Sequence, residues 1–237
     1  MDERTWERIG AFAGVAFVVL MLLATFLYPQ QPRIDSTPAK TLAWIHGHRT
    51  GIQTGAIFGV FAAGLFVWFA AHLRHVLVRA EGGAERLAPL VFGSGVAVAV
   101  VGVLGALPTA LLAFMDAQPG GLQDANIVRM LGDLNQVIFG IGASMTVVFL
   151  LAVGSAMVRK ELVAPWLGWV SLLAAVLNGV AVVTATTFST YHGAAWAVPT
   201  WGAYLGFLVV VLVASVALLR QPAPTATPSS GRLLAAS

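Results

Sequence analysis

The stretch PLVFGSGVAVAVVGVLGALPTALLAFM, residues 89–115, decides the fold class of this chain. It has 27 consecutive residues without a charged side chain, and as an α-helix it would be about 40 Å long. A hydrocarbon core is about 30 Å thick and needs roughly 20 mostly apolar helical residues. The stretch therefore predicts a transmembrane helix. Pro108 is expected to kink this helix or to end its regular part, because proline removes a backbone hydrogen bond.

Five further stretches of the chain share this length and character. The six predicted spans cover about residues 9–28, 52–71, 89–115, 134–158, 165–188 and 199–219. We therefore expect an all-α fold, a polytopic membrane protein in which residues 1–220 form one compact bundle of six transmembrane helices. Residues 39–48 are expected to form an outer extension of the second span or an interfacial helix. The Pro/Ala/Ser/Thr-rich tail, residues 221–237, is expected to be disordered.

The composition excludes a soluble globular domain. The chain has 237 residues, of which 58% are hydrophobic and 10% are charged, whereas a soluble domain averages about 25% charged residues. The absence of cysteine excludes disulfides, thiolate metal ligands and thiol nucleophiles. The sequence also lacks the common nucleotide-binding, metalloprotease and serine-hydrolase motifs. ATP-driven work and the known types of hydrolase chemistry therefore have no support, and we expect no cofactor.

Lysine and arginine are unevenly distributed over the predicted loops. With a cytoplasmic N-terminus, the cytoplasmic side holds nine of these residues and the outer side holds four, which are Arg33, Lys40, Arg49 and Arg129. Because cytoplasmic loops carry the excess of positive charge, both termini are expected to be cytoplasmic. The net charge of +3 follows from the same bias, so we expect no nucleic-acid partner.

Polar side chains gather at the predicted outer ends of four spans. On a helix, the spacing of His46, Arg49 and Gln53 places all three on one face. Polar groups at membrane depth are costly and are the default functional candidates, so we expect an outward-facing polar pocket here. The candidate substrate-binding residues are His46, Arg49, Gln53, Asn135, Gln136, Thr187, Tyr191 and His192, and the candidate catalytic residues are Asp133 and Asp116.

A carboxylic acid in a partly desolvated site can act as a general acid. Asp133 or Asp116 would supply the proton, and Arg49, Gln136 or His46 would position a substrate or stabilise charge. Plainer interpretations remain open for both carboxylates. Asp133 and the arginine four residues before it would form a surface ion pair worth a few tenths of a kcal/mol. Asp116 would simply be solvated where its helix meets water.

Two histidine pairs have the composition of a metal site but not its geometry. On a helix, the side chains of His46 and His48 point about 200° apart and cannot bind one ion. His72 and His75 share a face, but no cluster of carboxylate ligands lies near them in the sequence. We therefore expect no metal site.

Small residues recur at every fourth position at the start of the second span. The series is Gly47, Gly51, Gly55, Gly59 and Ala63. Such a ridge lets the backbones of membrane helices approach closely. It predicts packing inside one bundle, and the alternative is a face through which the protein forms a homo-oligomer.

Four short segments carry a family resemblance. They are WIHGHR (residues 44–49), FVWFAAHLR (66–74), RAEGG (79–83) and PWLGW (165–169). Together with the valine- and leucine-rich last span, they resemble a broad group of actinobacterial multi-pass membrane proteins known chiefly as a domain of unknown function. The resemblance runs from Trp6 to Arg220. It implies the fold and a bacterial plasma-membrane location, and it carries over no catalytic residue.

Three hypotheses for the function follow from the polar residues. In the first, the bundle is an enzyme that isomerises or cyclises a lipophilic substrate by acid–base chemistry. In the second, the pocket binds or transports a lipophilic small molecule without converting it. In the third, the protein is an interaction or envelope-maintenance subunit, and the polar groups are merely solvated. The candidate partners are the lipid bilayer, a lipophilic small molecule and a second copy of the chain bound through the glycine-rich helix faces.

Overall fold

The computed structural model describes residues 3–32, 36–82, 86–160, 165–187 and 194–220. Within these ranges the chain is all-helical, which confirms the predicted fold class. The helices are α1 (Glu3–Leu27), α2 (Pro38–Ala80), α3 (Ala88–Asp116), α4 (Ala125–Lys160), α5 (Pro165–Thr187) and α6 (Ala194–Arg220). Each is long and apolar enough to cross a membrane. The predicted tail, residues 221–237, lies outside the described residues.

The outer surface of the bundle is apolar. Phe26 is 83% exposed, Phe61 66% and Trp169 63%. In water, so many exposed large apolar side chains would be unfavourable, because each leaves apolar area in contact with solvent. In a bilayer these surfaces contact lipid tails. The exposed surface and the six apolar helices together identify a multi-pass membrane protein that is in contact with the lipid bilayer.

Local sequence explains where most helices begin. Proline occupies the first position of α2 and α5, where its missing N–H would have had no intrahelical partner. α4 begins well before the predicted span because Asp124 caps it: one carboxylate oxygen accepts the N–H groups of Asn126 (2.9 Å) and Ile127 (3.3 Å). α6 begins at Ala194, so Pro199 lies inside the helix rather than in its first turn.

Two helices differ from a simple span. α2 has 43 residues and is about 65 Å long, roughly twice the thickness of a hydrocarbon core. Its backbone leaves helical geometry at His48 (φ −128°, ψ 15°), so the predicted extension over residues 39–48 is helical and ends at a break. α3 continues through Pro108 to Asp116, so the proline does not end the helix.

The helices form a closed ring in chain order. Each packs against the next, α6 packs against α1, and α2 also contacts α4 across the bundle. Both chain ends of the described bundle, Glu3 and Arg220, therefore lie at one end, which we call the terminal end. The opposite end holds the α1–α2 connection and the α3–α4 connection, and we call it the α1–α2 end.

Aromatic rings fill the interior of the bundle. Phe66 of α2 is 1% exposed, and its ring centroid lies 4.8 Å from Phe17 of α1, 5.2 Å from Phe149 of α4 and 5.3 Å from Phe207 of α6. Such pairs contribute about 0.5–1.5 kcal/mol each beyond the burial of area. The rings therefore join four of the six helices through one packed centre.

The predicted glycine ridge of α2 is used in part. A Cβ atom added at Gly51 would lie 2.9 Å from the carbonyl oxygen of Leu27, and one added at Gly55 would lie 3.1 Å from the Tyr28 side chain. These two glycines let the end of α1 approach α2 closely. At Gly47 and Gly59 an added Cβ would meet nothing within 4 Å, so these two positions make no close helix contact.

Candidate functional site

Two glutamine side chains attach the α1–α2 connection to α4. Gln31 donates from Nε2 to the carbonyl oxygen of Gly132 (3.0 Å), and Gln136 donates from Nε2 to the carbonyl oxygen of Pro32 (3.4 Å). Each amide satisfies a backbone carbonyl of the other segment. The predicted site residue Gln136 thus lies at the α1–α2 end, where it positions a connection that the sequence did not single out.

His46 and Asp116 form an ion pair between α2 and α3. The His46 side chain is 47% exposed, whereas the Asp116 side chain is only 6% exposed. Asp116 ends α3, where the helix dipole disfavours a negative charge, and the imidazole offsets this. The structure therefore brings together one predicted binding residue and one predicted catalytic residue, and it does not show Asp116 solvated at the helix end.

Pro108 removes one backbone hydrogen bond of α3, and a side chain of α4 bonds to the carbonyl next to that gap. Pro108 has no N–H for the carbonyl of Leu104, four residues before it, and proline disturbs the helical bonds beside that gap. Asn135, 5% exposed, donates from Nδ2 to the adjacent carbonyl of Gly105 (2.6 Å). Asn135 thus stabilises a proline-containing helix from its neighbour.

Other polar groups at this end also bond between helices. Gln53 of α2 donates from Nε2 to the carbonyl oxygen of Ala113 in α3 (3.4 Å). The hydroxyl of Tyr28 donates to Oγ1 of Thr109 (3.2 Å). Burial raises the pKa of Tyr28 above its usual value of 10.0, and the hydrogen bond with Thr109 opposes part of that rise. The phenol therefore stays protonated, and able to donate, at neutral pH.

The remaining predicted residues that the structure describes do not join these contacts. Arg129 and Asp133 form an i, i+4 ion pair of 3.5 Å with partly exposed side chains, which contributes little to stability. Arg49 is exposed. The side chain of Thr187 and the residues Tyr191 and His192 lie outside the described residues. In the part of the chain that is described, the candidates thus make separate contacts and do not line one common cavity.

A cavity of about 580 Å³ opens at the α1–α2 end. Its described lining consists of Gln30, Gln31, Pro32, Ser36, Thr37, Lys40 and Trp44. None of these residues was predicted as a site residue. A signal was present in the sequence, because Lys40 and Trp44 lie four residues apart and share a face of the helix that begins at Pro38. Trp44 also has the properties of an ordinary interfacial tryptophan, so the sequence did not distinguish it as a binding residue.

Trp44 is the most unusual residue of the lining. It is 8% exposed, and its indole Nε1 is buried with no hydrogen-bond partner among the described residues. Its ring centroid lies 6.1 Å from that of Tyr28 and 5.9 Å from that of His48, so neighbouring rings hold it in place. A buried donor without a partner costs about 1–3 kcal/mol, a cost that an acceptor atom on a bound molecule would remove.

The charge at the cavity is positive in the described lining. Lys40 is exposed and carries an ammonium group, and no described lining residue is a carboxylate. The N-terminus of α2 lies here, with Thr37 as its N-cap, and a helix N-terminus carries a partial positive charge. Throughout the described ranges, no group of three or more histidine, aspartate or glutamate side chains could hold a metal ion.

Comparison with known proteins gives a family and no function. No curated protein and no solved structure matches the chain. The sequence pattern of one family, described as a domain of unknown function (DUF4386), matches residues 12–219. That match includes parts of all six helices and both sides of the cavity. The chain therefore belongs to the DUF4386 family.

Proposed function

We propose that this protein is an integral membrane protein of the bacterial plasma membrane that binds a lipophilic small molecule bearing a polar group in the cavity at the α1–α2 end. The observation that carries the proposal is Trp44, a residue of the cavity lining whose buried indole N–H has no hydrogen-bond partner among the described residues. The cavity volume of about 580 Å³ lies within the range of about 300–1,000 Å³ that is usual for small-molecule sites.

The position of the cavity suits a molecule that is partly apolar. Exposed apolar side chains such as Phe26 of α1 begin close to the α1–α2 connection in the chain. A ligand with its polar group among Gln30, Thr37 and Lys40 could leave its apolar part along the lipid-exposed helices. The distribution of lysine and arginine favours cytoplasmic termini, and in that orientation the cavity opens to the outside.

The carboxylates favour binding over conversion. Asp116 is paired with His46, and Asp133 is paired with Arg129. Neither carboxylate belongs to the described lining of the cavity. Acid–base catalysis needs a group within hydrogen-bond reach of the reacting atom. We therefore place binding ahead of an isomerase or cyclase activity, and we keep a non-enzymatic interaction subunit as the alternative if nothing binds.

The test is native mass spectrometry of the protein extracted gently from its own membrane. Wild type is compared with Trp44→Phe, which removes the N–H but keeps an aromatic ring, and with Trp169→Phe, a control on the exposed surface of α5. We expect a stoichiometric adduct in wild type and in the control. Loss of one hydrogen bond of about 1 kcal/mol weakens binding roughly fivefold in Trp44→Phe. Absence of any adduct in wild type would refute the proposal and favour the interaction subunit.

A further inference from the structure

We propose that the molecule in this cavity presents an anionic group, a phosphate or a carboxylate, to Lys40 and Trp44. The inference rests on the proposed function and names the chemistry of the bound polar group. It starts from the two side chains of α2 that line the cavity and can only donate hydrogen bonds. The ammonium of Lys40 has three donors and no acceptor, and the indole of Trp44 has one donor and no acceptor.

Lys40 and Trp44 are neighbours on one face of α2. Lys40 and Trp44 lie one helical turn apart, about 6 Å along the axis, and both line the same cavity. Trp44 is held by its ring neighbours and by burial, whereas the exposed Lys40 side chain is flexible enough to turn toward a ligand. An anionic group between them would accept a hydrogen bond from the indole and a charge-assisted bond from the ammonium.

The start of α2 reinforces the preference for negative charge. Thr37 has extended backbone geometry (φ −64°, ψ 148°) and begins a helix of 43 residues. Pro38 has no N–H, and the amides of Lys40 and Thr41 donate to the carbonyl oxygen of Thr37 at 3.0 and 3.2 Å. The helix therefore contributes its terminal dipole, rather than a set of free amides, to the potential in the cavity.

Among the described lining residues, Lys40 is the only one with a charged side chain. The described ion pairs of the chain do not include Lys40. The carboxylate of Asp116 is engaged by His46 and lies outside the described lining. A cationic ligand would meet an ammonium and a positive helix end, both of which repel it. An uncharged ligand would leave the ammonium without a partner of opposite charge.

The same chemistry is offered by a lipid headgroup and by a soluble anion. The experiment therefore measures binding to purified full-length protein in an uncharged detergent, with four probes. These are a short-chain phosphatidylglycerol, the matching short-chain phosphatidylcholine, an uncharged short-chain diacylglycerol and inorganic phosphate. Wild type is compared with Lys40→Gln, with Lys40→Arg, and with Arg8→Gln, a matched loss of charge at an exposed position near the terminal end of α1. Thermal unfolding checks that each variant is folded.

We expect wild type to prefer an anionic probe, and we expect Lys40→Gln to bind it at least about tenfold more weakly. Lys40→Arg should restore most of the affinity, and Arg8→Gln should match wild type. Phosphate binding as tight as phosphatidylglycerol binding would identify a soluble anion as the source. Tighter binding of phosphatidylglycerol would identify a lipid.

Two results would overturn the inference, and they are distinguishable. If wild type binds the uncharged and the anionic lipid equally well, and Lys40→Gln changes neither affinity, the anionic group is wrong and the proposed binding function stands. If wild type binds none of the four probes, and native mass spectrometry also shows no adduct, both proposals fail together.

Discussion

Removal of the Asn135 side chain should destabilise the bundle in a way that depends on Pro108. Asn135 is 5% exposed, and its amide donates to the carbonyl of Gly105 over 2.6 Å. Interhelical hydrogen bonds in membrane proteins contribute about 0.6–2 kcal/mol. Asn135→Ala also removes buried atoms and takes away the side-chain donor to a carbonyl of a proline-containing helix. We therefore expect the free energy of unfolding to fall by about 1–3 kcal/mol.

The dependence on Pro108 separates this explanation from simple loss of packing. Pro108→Ala restores an N–H for the carbonyl of Leu104, and it lets the carbonyl of Gly105 bond more regularly to the amide of Thr109. In that background Asn135 should matter less. We expect the effect of Asn135→Ala to shrink by at least about 0.5 kcal/mol, the lower end of the coupling seen between contacting residues.

The assay is reversible unfolding of the detergent-solubilised protein by a denaturing detergent, with the four proteins of the double-mutant cycle measured side by side. Asn126→Ala, an exposed position near the start of the same helix, is the control and should change stability little. A neutral Asn135→Ala would refute the role of the hydrogen bond. An equal loss with and without Pro108 would show that packing, and not the proline-disturbed carbonyl, explains the effect.

Three further predictions use the same unfolding assay. His46→Ala leaves the 6%-exposed Asp116 side chain as an unpaired charge and should lower the free energy of unfolding by about 1–3 kcal/mol. Asp116→Asn should lower it by less, and equal losses in the two variants would refute this prediction. Gly51→Ala should destabilise by about 1–3 kcal/mol because its Cβ would lie 2.9 Å from a backbone oxygen, whereas Gly59→Ala should be neutral or stabilising by up to about 1 kcal/mol. Burial raises the pKa of Tyr28 in the folded protein. Its stabilising contribution is therefore complete below the unfolded-state pKa of about 10 and is lost as pH rises through the folded-state pKa. Tyr28→Phe should lose less stability than wild type above pH 10, and an identical dependence of stability on alkaline pH in both proteins would contradict this.

The fold was largely predictable from the sequence because the bilayer constrains it so strongly. A stretch such as residues 89–115 can satisfy its backbone in lipid only as a helix, and the same holds for the other five. Helix ends were harder to predict. The sequence placed the start of the fourth span near residue 134, but the carboxylate of Asp124 caps α4, and capping depends on local side-chain bonds rather than on hydropathy.

The polar residues at the α1–α2 end were predictable from the sequence, but the partner of each one was not. Gathering of polar residues at one level follows from helix length, and His46, Asp116, Asn135 and Gln136 do make contacts at the α1–α2 end. Their partners depend on how the helices are packed, and for Asn135 the partner is a backbone carbonyl, which has no sequence signature. Trp44 was missed as a site residue because indole rings occur at membrane interfaces with or without a ligand.

Stability and recognition are carried by mostly different residues at the α1–α2 end. The ion pair of His46 with Asp116 joins α2 to α3, and the Asn135 amide joins α4 to α3, yet none of these residues lines the described cavity. Trp44 and Lys40 line the cavity, and no hydrogen bond is described for the indole N–H or for the ammonium group. Removing the indole N–H or the ammonium group should therefore change ligand binding with little loss of stability. Gln31 lines the cavity and also bonds to Gly132, so its substitution should change both binding and stability. A Gln31→Ala variant that loses stability but keeps full affinity would show that the cavity wall there is not part of the binding site.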